Sequence, residues 1–257
     1  MKHKPYFFIT NDDGIFAPGI RTLIDIVKPL GKVIVVAPDK GHSGQSHAVT
    51  VGTPVRLNKL VAGLDYEEYS CSGTPVDCVK LGLQQLTTSK PDMLLSGINH
   101  GSNAGINVLY SGTMAAAMEG TINQIPSLGF SLTNYSHQAD FSGTRDSIHA
   151  IITRFLTHPL PAGVTMNVNI PDLPAHEIKG IKYCRQAQGR WYEEFDRRVD
   201  PFGKDYFWLT GEYRPSDNNP ETDQWALDNG YVAMVPLTLD LTHLEYLNQK
   251  KEYVYKE

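Results

Sequence analysis

The sequence contains few cysteines, no long apolar run and no basic block, and each absence excludes a class of protein. Cys71, Cys78 and Cys184 are odd in number and form no C-x-x-C pair, so neither a disulfide framework nor a four-cysteine zinc site is expected. We expect reduced thiols, as in the cytoplasm. Nowhere do about 18 apolar residues occur in a row, and the first apolar run is too short for a secretory signal. We therefore expect a soluble cytoplasmic chain with no membrane partner.

The charge balance is mildly acidic along the whole chain. The 257 residues carry 23 Lys and Arg against 28 Asp and Glu, and 41% of them are hydrophobic. Neither residues 1–150 nor residues 151–257 carry an excess of basic residues, so we expect no duplex nucleic acid as a partner. Backbone amides or a metal ion could still form a local phosphate site. The length allows one large domain or two small ones.

Short buried strands alternate with amphipathic helices in the first two thirds of the chain. Residues 6–10 and 33–36 are apolar runs typical of strands buried on both faces, and the helical pattern after Pro18 joins them in a strand-helix-strand unit. Thr74 predicts the N-cap of a further helix. Other predicted strands are residues 93–95, 128–132 and 166–170, and other predicted helices are 114–119 and about 147–156. We predict an α/β fold with a doubly wound, mostly parallel sheet in a Rossmann-like, three-layer arrangement.

The last third of the chain differs in composition. Residues 191–213 hold eight of the chain's 25 aromatic residues, which predicts a β-hairpin or arm that is too aromatic to remain free in water. Packing on its own domain and contact with another subunit remain equal alternatives. A final amphipathic helix is indicated by Leu241, Leu244, Leu247 and Val254. We predict a single domain over residues 1–257, with a catalytic core at about 1–170 and an arm and tail for subunit assembly at about 171–257.

Polar loops follow three of the predicted strands, at residues 11–14, 38–46 and 96–105. Because the carboxyl ends of parallel strands meet at one edge of a sheet, these loops are expected to converge. Asp12 and Asp13 are adjacent and would repel each other unless a cation lies between them or one is protonated. With Asn and Ser oxygens nearby, Mg²⁺ or Mn²⁺ fits best. A plain polar turn at 11–14 and a flexible crossover at 38–46 remain alternatives.

The third loop also predicts a phosphate site. Four glycines lie between positions 97 and 112, a composition that favours close approach of the backbone to a ligand. Ser111, Gly112 and Thr113 stand at a predicted helix N-terminus, where free N–H groups and the helix dipole favour an anion. His42 and His100 also lie in these loops, and His47 directly follows the second loop. Such histidines are usually surface hydrogen-bonding groups, and His100, beside Asn99, is the one to test as a catalyst.

Several familiar motifs are absent. The sequence has no G-x-G-x-x-G after the first strand, no G-x-x-x-x-G-K-[ST], no H-E-x-x-H and no G-x-S-x-G. These absences argue against a dinucleotide-dependent dehydrogenase, a P-loop NTPase, a zinc protease of the H-E-x-x-H type and an α/β-hydrolase.

Longer segments match one known family in their order along the chain. They are residues 8–14 with 17–20, 35–39 with Ser43, Gly44 and Ser46, 73–79, 96–99 with Gly101 and Asn103, and 110–113 with Ala116, Ala117, Glu119 and Gly120. In these segments the chain resembles the survival protein SurE family of metal-dependent nucleotidases. The match covers most of residues 6–132 and resumes at 168–171 and 230–232.

This resemblance implies a set of site residues and an assembly. The metal ligands it implies, for one divalent ion per subunit (Mg²⁺ or Mn²⁺), are Asp12, Asp13, Ser43 and Asn99. The catalytic residues it implies are Asp12 and Asp13 with the phosphate-facing Asn103, Ser111, Gly112 and Thr113. It also implies a homodimer or homotetramer formed by exchange of C-terminal elements. Asn107, where the family often has Asp, and Glu221, where it often has Gly, depart from the pattern and put substrate preference and loop shape in question.

The expected activity is therefore phosphoric monoester hydrolysis. We expect a 5′-nucleotidase that converts nucleoside monophosphates to nucleoside and phosphate, with 3′-nucleotidase and short-chain polyphosphatase activities as further options. The alternative is a protein that binds or senses nucleotides on the same fold without catalysis. Release of phosphate from a panel of nucleoside monophosphates, with and without EDTA, separates the two.

Overall fold

A nine-stranded, mostly parallel sheet forms the centre of the computed structural model, which describes residues 4–136 and 138–250. The strands are β1 Tyr6–Thr10, β2 Lys32–Pro38, β3 Leu57–Val61, β4 Tyr66–Cys71, β5 Met93–His100, β6 Ser127–Leu132, β7 Val164–Ile170, β8 Ile181–Tyr183, β9 Gly189–Tyr192, β10 Phe195–Val199, β11 Asp205–Leu209, β12 Glu212–Pro215 and β13 Val232–Thr238. The helices are α1 Pro18–Val27, α2 Pro75–Gln85, α3 Gly112–Ile122, α4 Arg145–Thr157, α5 Asp223–Asp228 and α6 Leu244–Lys250. The strand order is β3-β4-β2-β1-β5-β6-β7-β13-β8.

Helices cover both faces of this sheet. On β1, Phe7 and Ile9 belong to the apolar cluster that includes α1 and α4, and Phe8 belongs to the cluster on the opposite face with α2 and α3. The alternation follows from the strand geometry, in which successive side chains point to opposite faces. The predicted three-layer, mostly parallel α/β fold is confirmed; the antiparallel pairs in this sheet are β3 with β4 and β13 with β7.

Side-chain caps mark the start of α2, α3 and α5, where the capping residues are Thr74, Ser111 and Thr222. Thr74 accepts a hydrogen bond from the backbone N–H of Asp77, whose carboxylate accepts one from the backbone N–H of Thr74, so the predicted N-cap of α2 is part of a capping box. Ser111 caps α3 by accepting from the N–H of Met114. Within the described ranges, none of the helices combines the length and the apolar character needed to cross a lipid bilayer.

The third predicted strand is longer than the sequence indicates. Its predicted end at residue 95 is wrong, because β5 continues through the polar residues Ser96 to His100. Its pairing with β6 shifts register between Ser96 and Asn99, as in a β-bulge. Gly97 allows this local geometry, since its φ is +132° and a Cβ there would lie 2.4 Å from the carbonyl oxygen of Phe130.

The strands that were not predicted include β3 and β4, at one edge of the sheet. β4 pairs in parallel with β2 and in antiparallel orientation with β3. Glu67 and Glu68 interrupt the apolar pattern of β4 in the sequence. In the structure, Glu68 is buried and forms an ion pair of 2.9 Å with Arg21. A strand that carries a paired buried carboxylate gives no clear period-two signal.

The C-terminal third contributes to the sheet and also forms an arm. β13 and β8 extend the sheet beyond residue 170. The division into a catalytic core and an assembly arm at about this residue stays a prediction. The arm, β9 to β12, is a long hairpin in which β9 pairs with β12 and β10 with β11. The predicted final helix is α6, Leu241 precedes it, and Val254 lies outside the described residues.

Candidate active site

A cavity of about 680 Å³ opens beyond the carboxyl ends of β1 and β5. β2 lies on one side of β1 and β5 on the other, so this is the point where the strand order reverses and where open α/β sheets bind ligands. The cavity is lined by Asp12, Asp13, Ser43, Gly44, Asn99, His100, Ser102, Asn103, Asn107, Tyr110, Ser111, Tyr135, Trp191, Glu194, Leu209, Thr210 and Gly211. The three predicted loops therefore do converge on one cavity.

Asp12 is the most deeply buried carboxylate of the cavity, with 3% of its surface exposed. The hydroxyl of Thr113 donates a hydrogen bond to Asp12 Oδ1. Burial, and then the charge of Asp13, raise the pKa of Asp12 to about 6, and hydrogen bonds from Thr113 oppose that rise. A buried carboxylate beside a second carboxylate is stabilised in its charged form by a bound cation.

Asp13 is held by the end of β5. The backbone N–H of His100 lies 3.2 Å from Asp13 Oδ2, and the ring Nδ1 of His100 lies 3.1 Å from the same oxygen. The ring of Phe141 packs edge-to-face against His100, with centroids 4.9 Å apart. His100 thus contacts a predicted metal ligand, and we assign it the role of orienting Asp13.

Ser43 and Asn99 add neutral oxygens to the same cavity. The loop that contains Ser43 is joined to the segment after β1 by a hydrogen bond of 2.7 Å from the N–H of His42 to the carbonyl of Asp12. Asn99 Nδ2 donates to the carbonyl of Gly101 at 2.8 Å, which orients the amide and leaves Oδ1 as the group that can coordinate a cation.

The donor set suits a hard divalent cation. Two carboxylates with amide and hydroxyl oxygens are the chemistry that Mg²⁺ and Mn²⁺ prefer. The four residues Asp12, Asp13, Ser43 and Asn99 therefore fit the predicted ion.

The four residues predicted to face phosphate lie close together, but they make different contacts. Asn103 and Ser111 line the cavity. Thr113 is fully buried and gives its hydroxyl to Asp12. Gly112 lets the start of α3 approach this carboxylate, since a Cβ there would lie 2.9 Å from Asp12 Cβ. The N-terminus of α3 thus contacts both Asp12 and the cavity.

Sequence reasoning missed the residues that position Asn103. Asn103 Nδ2 donates to Ser131 Oγ, its backbone N–H donates to Asn169 Oδ1, and its carbonyl accepts from Asn167 Nδ2, all within 2.9 Å. Two asparagines at alternate positions on a fully buried strand are unusual, because buried strands of parallel sheets are nearly all apolar. This alternation of asparagines in the sequence could have identified both positions as candidate site residues.

Both departures from the family pattern have a structural location. Asn107 lines the cavity and accepts a hydrogen bond of 2.9 Å from the indole nitrogen of Trp191. Glu221 lies outside the cavity lining, in the turn before α5, where its carbonyl accepts from the N–H of Arg185. Asn107 is therefore the departure placed to affect ligand binding.

Comparisons with known proteins agree with this arrangement. The family model described as "Survival protein SurE" matches residues 7–193. A Christiangramia forsetii protein named 5′-nucleotidase SurE is 54% identical over 243 residues, with 94% of each chain covered, and a Flavobacterium johnsoniae protein of the same name is 52% identical over 240 residues, with 93% of each covered. The crystal structure of the SurE protein from Aquifex aeolicus superposes with a TM-score of 0.82 and 41% identity, covering 96% of this chain and 98% of that one. Since the family model matches well over half of the chain and these relatives match nearly all of it, the chain belongs to the SurE family.

Proposed function

We propose that this chain is a metal-dependent 5′-nucleotidase that hydrolyses nucleoside monophosphates to nucleoside and phosphate. The observation that carries the proposal is one cavity, at the reversal point of the sheet, in which Asp12 and Asp13 lie together with Asn103 and Ser111. The two relatives from Christiangramia forsetii and Flavobacterium johnsoniae are named for the same reaction, which supports the proposal. Related hydrolysis at the 3′ position or of short polyphosphate belongs to the same chemistry.

Different residues of the cavity have different roles in phosphate ester hydrolysis. Asp12, Asp13, Ser43 and Asn99 would hold one Mg²⁺ or Mn²⁺ ion, which would offset phosphate charge and acidify water. Thr113 and His100 hold the two carboxylates in place. Asn103 and the start of α3 bind the phosphoryl oxygens as charge moves between them. The oxygen of water forms the new P–O bond as the ester P–O bond breaks, and a proton released by the water is balanced by the proton that the leaving nucleoside oxygen gains to become an alcohol.

The same proposal covers the setting of the enzyme. We place it in the cytoplasm, as one domain that assembles into a homodimer or homotetramer through the C-terminal arm. The exposed apolar side chains of β10 and β11 support such an assembly, since large exposed apolar patches usually mark contact surfaces.

Substitution of Asp12 tests the reaction. We expect Asp12→Asn to lower phosphate release from nucleoside monophosphates by about a hundredfold or more, because a ligand of the ion is lost. EDTA should abolish the wild-type activity, and Mn²⁺ should restore it. Asp25→Asn, an exposed position on α1, is the matched control and should retain full activity. Near-native turnover of Asp12→Asn, or nucleotide binding by the wild type with no phosphate release, would contradict the proposal.

A further inference from the structure

Three aromatic side chains are part of the lining of the active-site cavity. Tyr110, Tyr135 and Trp191 line the same cavity as Asp12 and Asp13. Tyr135 is fixed against the end of β5, because Gly101 leaves the space that its ring occupies; a Cβ at Gly101 would lie 2.2 Å from the ring. The cavity thus combines carboxylates with aromatic rings, which suits a ligand that carries both a phosphate and a flat ring.

Trp191 is held in a fixed orientation. Its indole N–H donates to Asn107 Oδ1 at 2.9 Å, and its ring lies 6.1 Å from that of Tyr213, its cross-strand partner on β12. Asn107 belongs to the segment just before α3, and Trp191 belongs to the arm. This hydrogen bond therefore joins the arm to the segment that leads into α3.

The cavity has little positive charge with which to bind a nucleotide. Among the described residues that line it there is no Lys or Arg, and Glu194 adds a carboxylate near Trp191. The ion accounts for the phosphate, but the rest of the ligand has no cationic partner in this lining. Stacking of a base on an aromatic side chain is an uncharged source of affinity, and it typically contributes about 1–3 kcal/mol per base.

We propose that Trp191 is a specificity-determining residue that stacks on the nucleobase, and that Asn107 is a positioning residue that holds its indole ring. This inference rests on the proposed nucleotidase function and adds the group that recognises the nucleoside. It predicts that the contribution of Trp191 depends on the presence of a base in the substrate. The role of Asn107 is to accept the hydrogen bond of the Trp191 indole N–H through its side-chain oxygen.

Steady-state kinetics on two substrates test the first part. AMP is compared with ribose 5-phosphate, which has the same phosphate ester and no base. We expect Trp191→Ala to raise KM for AMP about tenfold, with kcat within about twofold and with KM for ribose 5-phosphate unchanged. Trp191→Phe keeps a stacking ring and should raise KM for AMP less. Tyr183→Ala, an exposed aromatic position on β8, is the control and should change neither substrate.

Asn107 variants test the second part. Asn107→Leu removes the acceptor and should raise the ratio of KM for AMP to KM for ribose 5-phosphate severalfold, whereas Asn107→Asp keeps an acceptor and should leave that ratio near the wild-type value. An unchanged KM for AMP in Trp191→Ala, or an equal rise for both substrates, would overturn the inference while the nucleotidase function stands. A wild-type enzyme that releases no phosphate from AMP or any other nucleoside monophosphate would instead refute the proposed function.

Discussion

At the residue scale, the two neighbouring carboxylates after β1 are held by different parts of the chain. Asp12 is buried and receives the hydroxyl of Thr113 from α3. Asp13 receives the backbone and ring nitrogens of His100 from β5. Each carboxylate therefore keeps a fixed orientation that does not depend on the other, which is the preorganisation that a metal site requires.

Loss of the His100 ring should weaken metal binding. We expect His100→Gln to lower Mn²⁺ affinity about tenfold, because partners that orient a metal ligand contribute about 10–100-fold in affinity. Calorimetric titration of the apoprotein with Mn²⁺ measures this directly. His149→Gln, an exposed position on α4, is the matched control. If both variants bind Mn²⁺ as the wild type does, His100 does not orient Asp13.

At the scale of the elements, helix ends and close helix-to-strand contacts determine how the loops meet. Thr74 caps α2 and also donates a hydrogen bond of 2.8 Å to the carbonyl of Ala48. Asp77, in the same capping box, accepts hydrogen bonds from the backbone and hydroxyl of Thr50. The start of α2 therefore fixes the segment that follows the Ser43 loop.

Removal of this cap should destabilise the fold. We expect Thr74→Ala to lower the free energy of unfolding by about 1–2 kcal/mol, because the N–H of Asp77 and the carbonyl of Ala48 both lose a partner. Urea denaturation followed by circular dichroism gives the value. Thr22→Ala, inside α1, serves as the control, since Thr22 only donates to the preceding turn. An equal effect in the two variants would show that the cap adds nothing.

The packing of α1 on β5 reverses an ordinary helix preference. Alanine normally stabilises a helix interior by about 1 kcal/mol relative to glycine. At Gly19, however, a Cβ would lie 1.9 Å from the carbonyl oxygen of Ile98. We therefore expect Gly19→Ala to lower the melting temperature by several degrees, measured by thermal unfolding. A rise in the melting temperature would mean that α1 moves away from β5 at little cost.

At the scale of the whole molecule, the arm carries apolar side chains that are exposed to solvent in a single chain. On β11, Phe207, Trp208 and Leu209 are 57%, 61% and 71% exposed. Sequence reasoning left packing on its own domain and contact with another subunit equally open. The exposure of these side chains in the isolated chain favours the subunit contact, since burial of this area would be favourable on association.

Charges placed on the arm should therefore prevent assembly. We expect the double substitution Phe207→Glu with Trp208→Glu to dissociate the proposed oligomer into monomers, because carboxylates would have to be buried in the interface. Light scattering coupled to size-exclusion chromatography measures the mass. Lys204→Glu, at the turn of the same hairpin, changes charge without removing apolar surface and should leave the mass unchanged. An oligomer that survives the double substitution would place the interface elsewhere.

The elements of the sheet were predictable where local periodicity is strong. Residues 6–10 and 166–170 are buried strands as predicted, and the cap at Thr74 is present. β3, β4 and the end of β5 were not predictable, since their polar residues acquire partners only in the folded chain. Arg21 compensates Glu68, and His100 at the end of β5 contacts Asp13.

The sequence by itself determined the α/β alternation, the family and the set of polar residues at the strand ends, because these depend on local periodicity and on motifs contiguous in the chain. Only the tertiary structure decided which of those residues touch. Thr113 binds Asp12, His100 binds Asp13 and Trp191 binds Asn107 across 84 to 101 positions of sequence. Contacts at that distance depend on strand order and register, which bring the ends of β1 and β5, the start of α3 and the arm to one cavity.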